Sequence, residues 1–142
     1  MCSSDLRPAA ERRILLASLP RQQHTFGLSM LTEFFRRDGW VALAIPSPQR
    51  GEVLDSVSLN WFDILALSAS MDGEVDELTK TIKAARKTSL NPRLAIMVGG
   101  PLFLRQPELA TIVGADGMSE DAPAALALAS QLLQQQQDVK LN

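Results

Sequence analysis

The chain has 142 residues, 46% hydrophobic, 21% charged and 5% aromatic, which suits one domain with a sizeable core and excludes a disordered tail or an aromatic-rich binding stripe. A net charge of −2 excludes an overall basic field, so no direct grip on nucleic acid is expected. Cys2 is the lone cysteine and allows no disulfide framework, no apolar stretch reaches the ~18 residues of a membrane span, and no secretory signal opens the chain, so a cytoplasmic setting is expected.

Residues 1–11 show no hydrophobic period and read as a flexible lead-in to a domain over 12–134. Arg13 to Leu19 is a short apolar run, the mark of a strand buried on both faces. Pro20 to Phe26 is a polar loop. From Gly27, the residues Leu28, Leu31, Phe34 and Phe35 recur at helical spacing, and Gly39 closes that helix. Trp40 to Ile45 is a second apolar run, Glu52 to Leu59 a short helix, and Trp61 to Leu67 a third run. Trp40 and Trp61 begin strands and are expected at the edge of the core. Val75, Leu78, Ile82 and Ala85 mark a helix over Val75 to Thr88, and Arg93 to Val98 is a fourth run ending in a Gly99-Gly100-Pro101 turn. Gln106 to Ile112 reads as a short helix, Val113 to Met118 as a weak fifth strand, Ala122 to Gln136 as a final helix, and 135–142 as a tail.

Strand and helix thus alternate five times, with continuous and not alternating apolar strands. That order predicts an α/β fold, a five-stranded parallel doubly wound sheet of flavodoxin-like, Rossmann-like form. Ligands of such sheets bind outside the carboxyl ends of the strands, here the loops after Leu19, Ile45, Leu67, Val98 and Met118. Those loops exclude several chemistries. A phosphoacceptor domain needs carboxylates after strands one and three, where this chain has Ser18-Leu19-Pro20 and Ser68-Ala69-Ser70. A flavin-phosphate cradle needs a Ser/Thr/Gly-rich first loop, and a dinucleotide site needs Gly-x-Gly-x-x-Gly. Arg21-Gln22-Gln23-His24-Thr25 is neither. No acid–base pair and no activated nucleophile stands out, so an independent enzyme is not expected.

His24 is the only histidine and lies in the first of these loops. One histidine cannot build a zinc site from protein alone, but it suffices as the axial ligand of a metal already held by a macrocycle. Its neighbourhood, Gln22-Gln23-His24-Thr25-Phe26-Gly27, resembles the Asp-x-His-x-x-Gly motif of cobalamin-binding domains. Forty residues then separate Gly27 from Ser68-Ala69-Ser70, which falls where that family has Ser-x-Leu, and twenty-eight more lead to Gly99-Gly100, where it has Gly-Gly. Gly114-Ala115-Asp116-Gly117 resembles the family's fifth-strand segment.

The resemblance implies that His24 coordinates cobalt from the lower face of the corrin and displaces the cofactor's own nucleotide base. It implies that the freed tail runs between sheet and helices, with Ser68 hydrogen-bonding the base or the tail and Ser70 lining the same pocket. Gly27, Gly99 and Gly100 would let the ligand approach the backbone, and Thr25, Phe26, Asp116 and Gly117 would complete the site. Two positions depart from the motif: Gln22 replaces the aspartate that hydrogen-bonds the ligating histidine, and Ser70 replaces the leucine. This version of the motif is most similar to a regulatory branch, light- and redox-responsive antirepressors and sensor domains containing haem instead of cobalamin. The resemblance therefore implies a sensory module that binds cobalamin and signals to a protein partner such as a transcriptional regulator. Haem held by His24 on the same fold, a corrinoid carrier subunit of a methyltransferase or mutase, and a domain serving only protein contacts remain the alternatives at this point.

Overall fold

β1 (Arg13–Ser18), β2 (Val41–Ile45), β3 (Ile64–Ser68), β4 (Ala95–Gly99) and β5 (Gly117–Met118) form one sheet in the order β2-β1-β3-β4-β5. Every neighbouring pair is parallel. The computed structural model describes residues 11–19, 26–46, 48 and 51–141, without the side chains of 26 and 137–141. The helices are α1 (Phe26–Arg37), α2 (Glu52–Leu59), α3 (Val75–Thr88), α4 (Pro101–Arg105), α5 (Leu109–Ile112) and α6 (Ala122–Leu141), with a 3-10 turn at Asp72–Glu74. Among the described residues no helix is long and apolar enough to cross a membrane.

The continuous apolar strands are explained by the sheet's two covered faces. Alternate residues of each strand point to opposite sides. Leu15, Leu65, Leu67, Ile96 and Val98 pack under α2, α3 and α4, through Val57, Leu78, Ile82 and Phe103. Ile14, Leu16, Ile64, Ala66 and Met97 pack under α1 and α6, through Leu28, Phe35, Ala125, Ala129 and Leu132. This is the predicted flavodoxin-like architecture. Its strand order reverses between β1 and β3, the switch point at whose carboxyl edge sheets of this kind bind ligands.

The opposite edge is tied down by Asp63. Its buried carboxylate accepts the Arg13 N–H at 2.9 Å and the Trp61 indole N–H at 3.3 Å. Gln136 on α6 donates to the carbonyls of Asp63 and Arg93 at 3.0 and 2.7 Å. α6 therefore crosses the whole sheet, from the carboxyl ends of the strands to their amino ends. Trp40 is buried against Phe35, edge to face at 5.5 Å, with the Arg12 guanidinium over its ring.

Three elements differ from the sequence-based expectation. The Gly99-Gly100-Pro101 segment is not a simple turn, because Pro101 opens α4, its fixed φ suiting a first helical position. Five residues are too few to show a period, yet Leu102 and Phe103 are fully buried. The second expected short helix shrinks to Leu109–Ile112. The fifth strand is only Gly117–Met118. Gly114 ends α5 with φ 91°, and the Asp116 carboxylate takes the Ile96 N–H at 2.8 Å where another backbone carbonyl would continue the ladder.

Candidate functional site

On the face covered by α1 and α6, side-chain volume falls toward the carboxyl edge. β3 runs Ile64, Ala66, Ser68 and β4 runs Ala95, Met97, Gly99 on that face. The other face keeps bulk further up, with Leu67 and Val98. The taper leaves a cavity of about 440 Å³ between α1 and the segment that leads into α6. That volume is within the ~300–1,000 Å³ of small-molecule sites. Ala66 and Met97 form its inner end, Leu28, Met30, Leu31 and Phe34 of α1 one wall, and Ser119 to Ala122 the other.

The predicted residues Gly27, Ser68, Ser70, Gly99 and Gly100 all line this cavity. They come from the start of α1 and the ends of β3 and β4, the last two set side by side by the parallel register Ser68↔Gly99. Gln22, His24 and Thr25 lie outside the described residues, as does the Phe26 side chain. The backbone of Phe26 begins α1, two positions after His24, so α1 connects that segment to the cavity wall.

The glycines play different parts. A Cβ on Gly100, where φ is 103°, would meet the Ala69 carbonyl oxygen at 2.5 Å, and one on Gly99 the Ser119 carbonyl oxygen at 3.2 Å. Close approach of the neighbouring strand-end loops therefore already requires Gly100 to be bare. Gly27 is the reverse case. A Cβ there would meet nothing within 4 Å among the described residues, so their packing does not explain a glycine in the first turn of a helix. Its missing side chain leaves room at the cavity wall.

Ser70 is held by its main chain. Glu74 accepts the N–H groups of Ser70 and Met71 at 2.9 and 2.8 Å, and Arg105 donates to the Ser70 carbonyl at 2.8 Å. The hydroxyls of Ser68, Ser70 and Ser119 have no hydrogen-bond partner among the described residues. They are the donors and acceptors the cavity offers a polar ligand group. The carboxylates on its lining are Glu120 and Asp121, and Asp121 accepts the Ala124 N–H at 2.8 Å as the cap of α6. Among the described residues no three His, Cys, Asp or Glu side chains gather in a way that would hold a metal ion.

Asp116 and Gly117 do not line the cavity. Asp116 bonds the Ile96 amide and pairs with Arg86 at 3.1 Å, and a Cβ on Gly117 would strike the Leu128 side chain at 2.7 Å. Both join β5 to its neighbours. Met30, Phe34, Ser119, Glu120 and Asp121 line the cavity without having been singled out by the motif. Their signals were local: Phe34 reads as one more member of the apolar stripe of α1 and Met30 lies beside that stripe, yet they stay 40% and 48% exposed. Ser119 to Asp121 has the composition of a helix cap.

A lining of this kind fits the group the motif implies. An apolar slot with hydroxyls toward its mouth accepts a flat ring and the sugar attached to it, and a bare Gly27 admits them. The comparisons with known proteins agree with the fold. Residues 12–127 match the family model of the B12 binding domain. A novel cobalamin-binding protein from Desulfitobacterium hafniense DCB-2 superposes with TM-score 0.76 at 20% identity, over 85% of this chain and 58% of that one. The monomethylamine corrinoid protein of Methanosarcina barkeri gives TM-score 0.71 at 17% identity, over 84% of this chain and 57% of that one. The chain thus spans less than three fifths of the length of these two proteins. A response regulator receiver domain protein from Clostridium thermocellum shares the fold with TM-score 0.63 at 15% identity, over 90% of this chain and 98% of that one. A search of curated proteins gives no match. A match that runs from the residue before β1 into α6 takes in the whole sheet and the cavity: the chain belongs to the B12-binding domain family.

Proposed function

We propose that this chain binds a corrinoid at the carboxyl edge of its sheet, with His24 as the lower axial ligand and the displaced nucleotide tail in the cavity between α1 and α6. The observation that carries the reading is the cavity itself, which is lined by Gly27 in the first turn of α1 and by Ser68, Ser70, Gly99 and Gly100 at the strand ends. When bound, the corrinoid supplies a cobalt centre whose upper ligand can be exchanged or lost. The chain supplies the rest. Ser68, Ser70 and Ser119 offer hydroxyls to the sugar and phosphate of the tail, and α1 shields its base from water. Gln22 is a neutral amide two positions before His24, so it can orient the imidazole without raising its basicity as a carboxylate does.

The module serves as a sensor that reports the state of its cofactor to a protein partner, and not as a free-standing catalyst. The Gln-Gln-His form of the motif supports this. So does a cavity whose carboxylates are Glu120 and Asp121, the latter engaged in capping α6.

Titration of the protein with hydroxocobalamin, followed by absorption, tests the reading. The expected result is saturable binding with the spectrum of cobalamin whose base is replaced by histidine. His24→Ala is expected to lose that spectrum and to retain weaker binding through the tail. No binding of hydroxocobalamin by the wild-type protein refutes the proposal, and a histidine-ligated haem spectrum in its place reassigns the site.

A further inference from the structure

We propose that the cavity selects among corrinoids by the base at the end of the nucleotide tail, accepting an apolar ring such as dimethylbenzimidazole or cresol and disfavouring a purine. This rests on the corrinoid reading above and adds the chemistry of the tail that the site takes.

The inner end of the cavity is made by Ala66 and Met97, 8% and 2% exposed, with Leu31 and the 40% exposed Phe34 of α1 on the wall beside them. None of these side chains donates a hydrogen bond, and none offers a strong acceptor. The backbone there is also spent. Ala66 stands between Leu16 and Met97 in the central strand, and Met97 between Ala66 and Gly117, so the main-chain groups at this level face ladder partners. The hydroxyl of Ser68 sits one pleat nearer the carboxyl edge, and those of Ser70 and Ser119 lie beyond the strand ends. Polar side chains therefore meet the sugar and phosphate, and the ring passes to a level that, among the described residues, has none.

The two classes of base respond differently. A benzimidazole with methyl groups, or a cresol ring, gains from replacing water by Met97, Leu31 and Phe34. An adenine placed at the same depth strips water from its ring nitrogens and exocyclic amine and finds no partner for them. Unpaired polar groups of this kind discriminate by about tenfold or more. The free cofactors are biased the opposite way. Adenine is the weaker cobalt ligand and is more easily displaced by His24, so ease of displacement alone favours the adenine-tailed corrinoid.

The experiment measures affinities of the full chain for four corrinoids: cobalamin, the adenine-tailed and the p-cresol-tailed analogues, and cobinamide, which has no nucleotide tail. The p-cresol tail has no cobalt bond to break, so it reads the cavity alone. The expected order is p-cresol-tailed at least equal to cobalamin, then the adenine-tailed analogue about tenfold or more weaker than cobalamin, with cobinamide no tighter than the adenine-tailed form. Met97→Gln, which places an amide at the inner end, is expected to narrow the gap between cobalamin and the adenine-tailed analogue several-fold. Equal or tighter binding of the adenine-tailed analogue by the wild-type protein overturns the selection, whether or not the variant folds. A folded Met97→Gln protein with an unchanged gap overturns the assignment of selectivity to the apolar inner end. Cobinamide binding as tightly as cobalamin shows that no tail enters the cavity, and binding of none of the four refutes the corrinoid reading itself.

Discussion

Gly27→Ala separates the needs of the fold from those of the ligand. Gly27 sits in the first turn of α1 with an ordinary backbone conformation, and an added Cβ meets no atom of the described residues within 4 Å. Among the described residues nothing opposes the methyl group. Alanine removes conformations available to glycine in the unfolded chain, a gain of ~0.4–1 kcal/mol where the native backbone suits it. A first-turn position argues for the lower part of that range, about 0.5 kcal/mol. For a domain of this length each kcal/mol moves Tm by ~2–4 °C, so the rise is about 1–2 °C. The same methyl group stands on the lining of the cavity, in space that a ligand must pass or fill. Crowding a fitted site by one methyl group costs about 1–3 kcal/mol, which is about fivefold to a hundredfold in affinity. The variant is thus expected to be slightly more stable and to bind hydroxocobalamin at least fivefold more weakly. Urea denaturation of the ligand-free protein gives the first quantity and absorption titration the second. A loss of stability refutes the claim that the fold has no use for a bare position 27. Unchanged affinity refutes its place at the ligand.

Gly100→Ala is expected to behave in the opposite way: its φ of 103° and a Cβ 2.5 Å from the Ala69 carbonyl oxygen lead to a loss of about 2–4 kcal/mol, visible as a lower urea midpoint at unchanged slope. Asp63→Ala strips the acceptor from the Arg13 N–H and the Trp61 indole at a residue only 1% exposed, and is expected to destabilise by about 2–4 kcal/mol in the same assay without changing corrinoid selectivity. Gln22→Asp is expected to tighten hydroxocobalamin binding at neutral pH by about tenfold, since a carboxylate holds a ligating imidazole better than an amide does; equal or weaker binding in the titration means that Gln22 does not support His24.

The architecture was legible because it follows from local pattern. Arg13–Leu19, Trp40–Ile45, Trp61–Leu67 and Arg93–Val98 are apolar on both alternating sets of positions, which only a sheet covered on both faces accommodates. The helices between them then require parallel strands and place the intervening loops at one edge. The spacing from Gly27 through Ser68 to Gly99 was readable for the same reason, since it counts whole strand–helix units. Their meeting at one cavity follows from the parallel register.

Other features depended on which side chains face each other across long separations. α4 is only five residues long, and its place is set by Gly100 against the β3 loop and by burial of Leu102 and Phe103, not by any period of its own. Asp116 had the look of a ligand-side residue in a glycine-rich loop, yet its carboxylate completes the β4–β5 joint through the Ile96 amide. The cavity itself is a tertiary property. Ile64, Ala66 and Ser68 taper on the face under α1 and α6, while Leu65 and Leu67 of the same strand keep the opposite face filled. A linear sequence interleaves these two sets residue by residue. Only the packed sheet assigns each set to its own side, and so decides that the empty space lies beside Gly27, Met30 and Phe34.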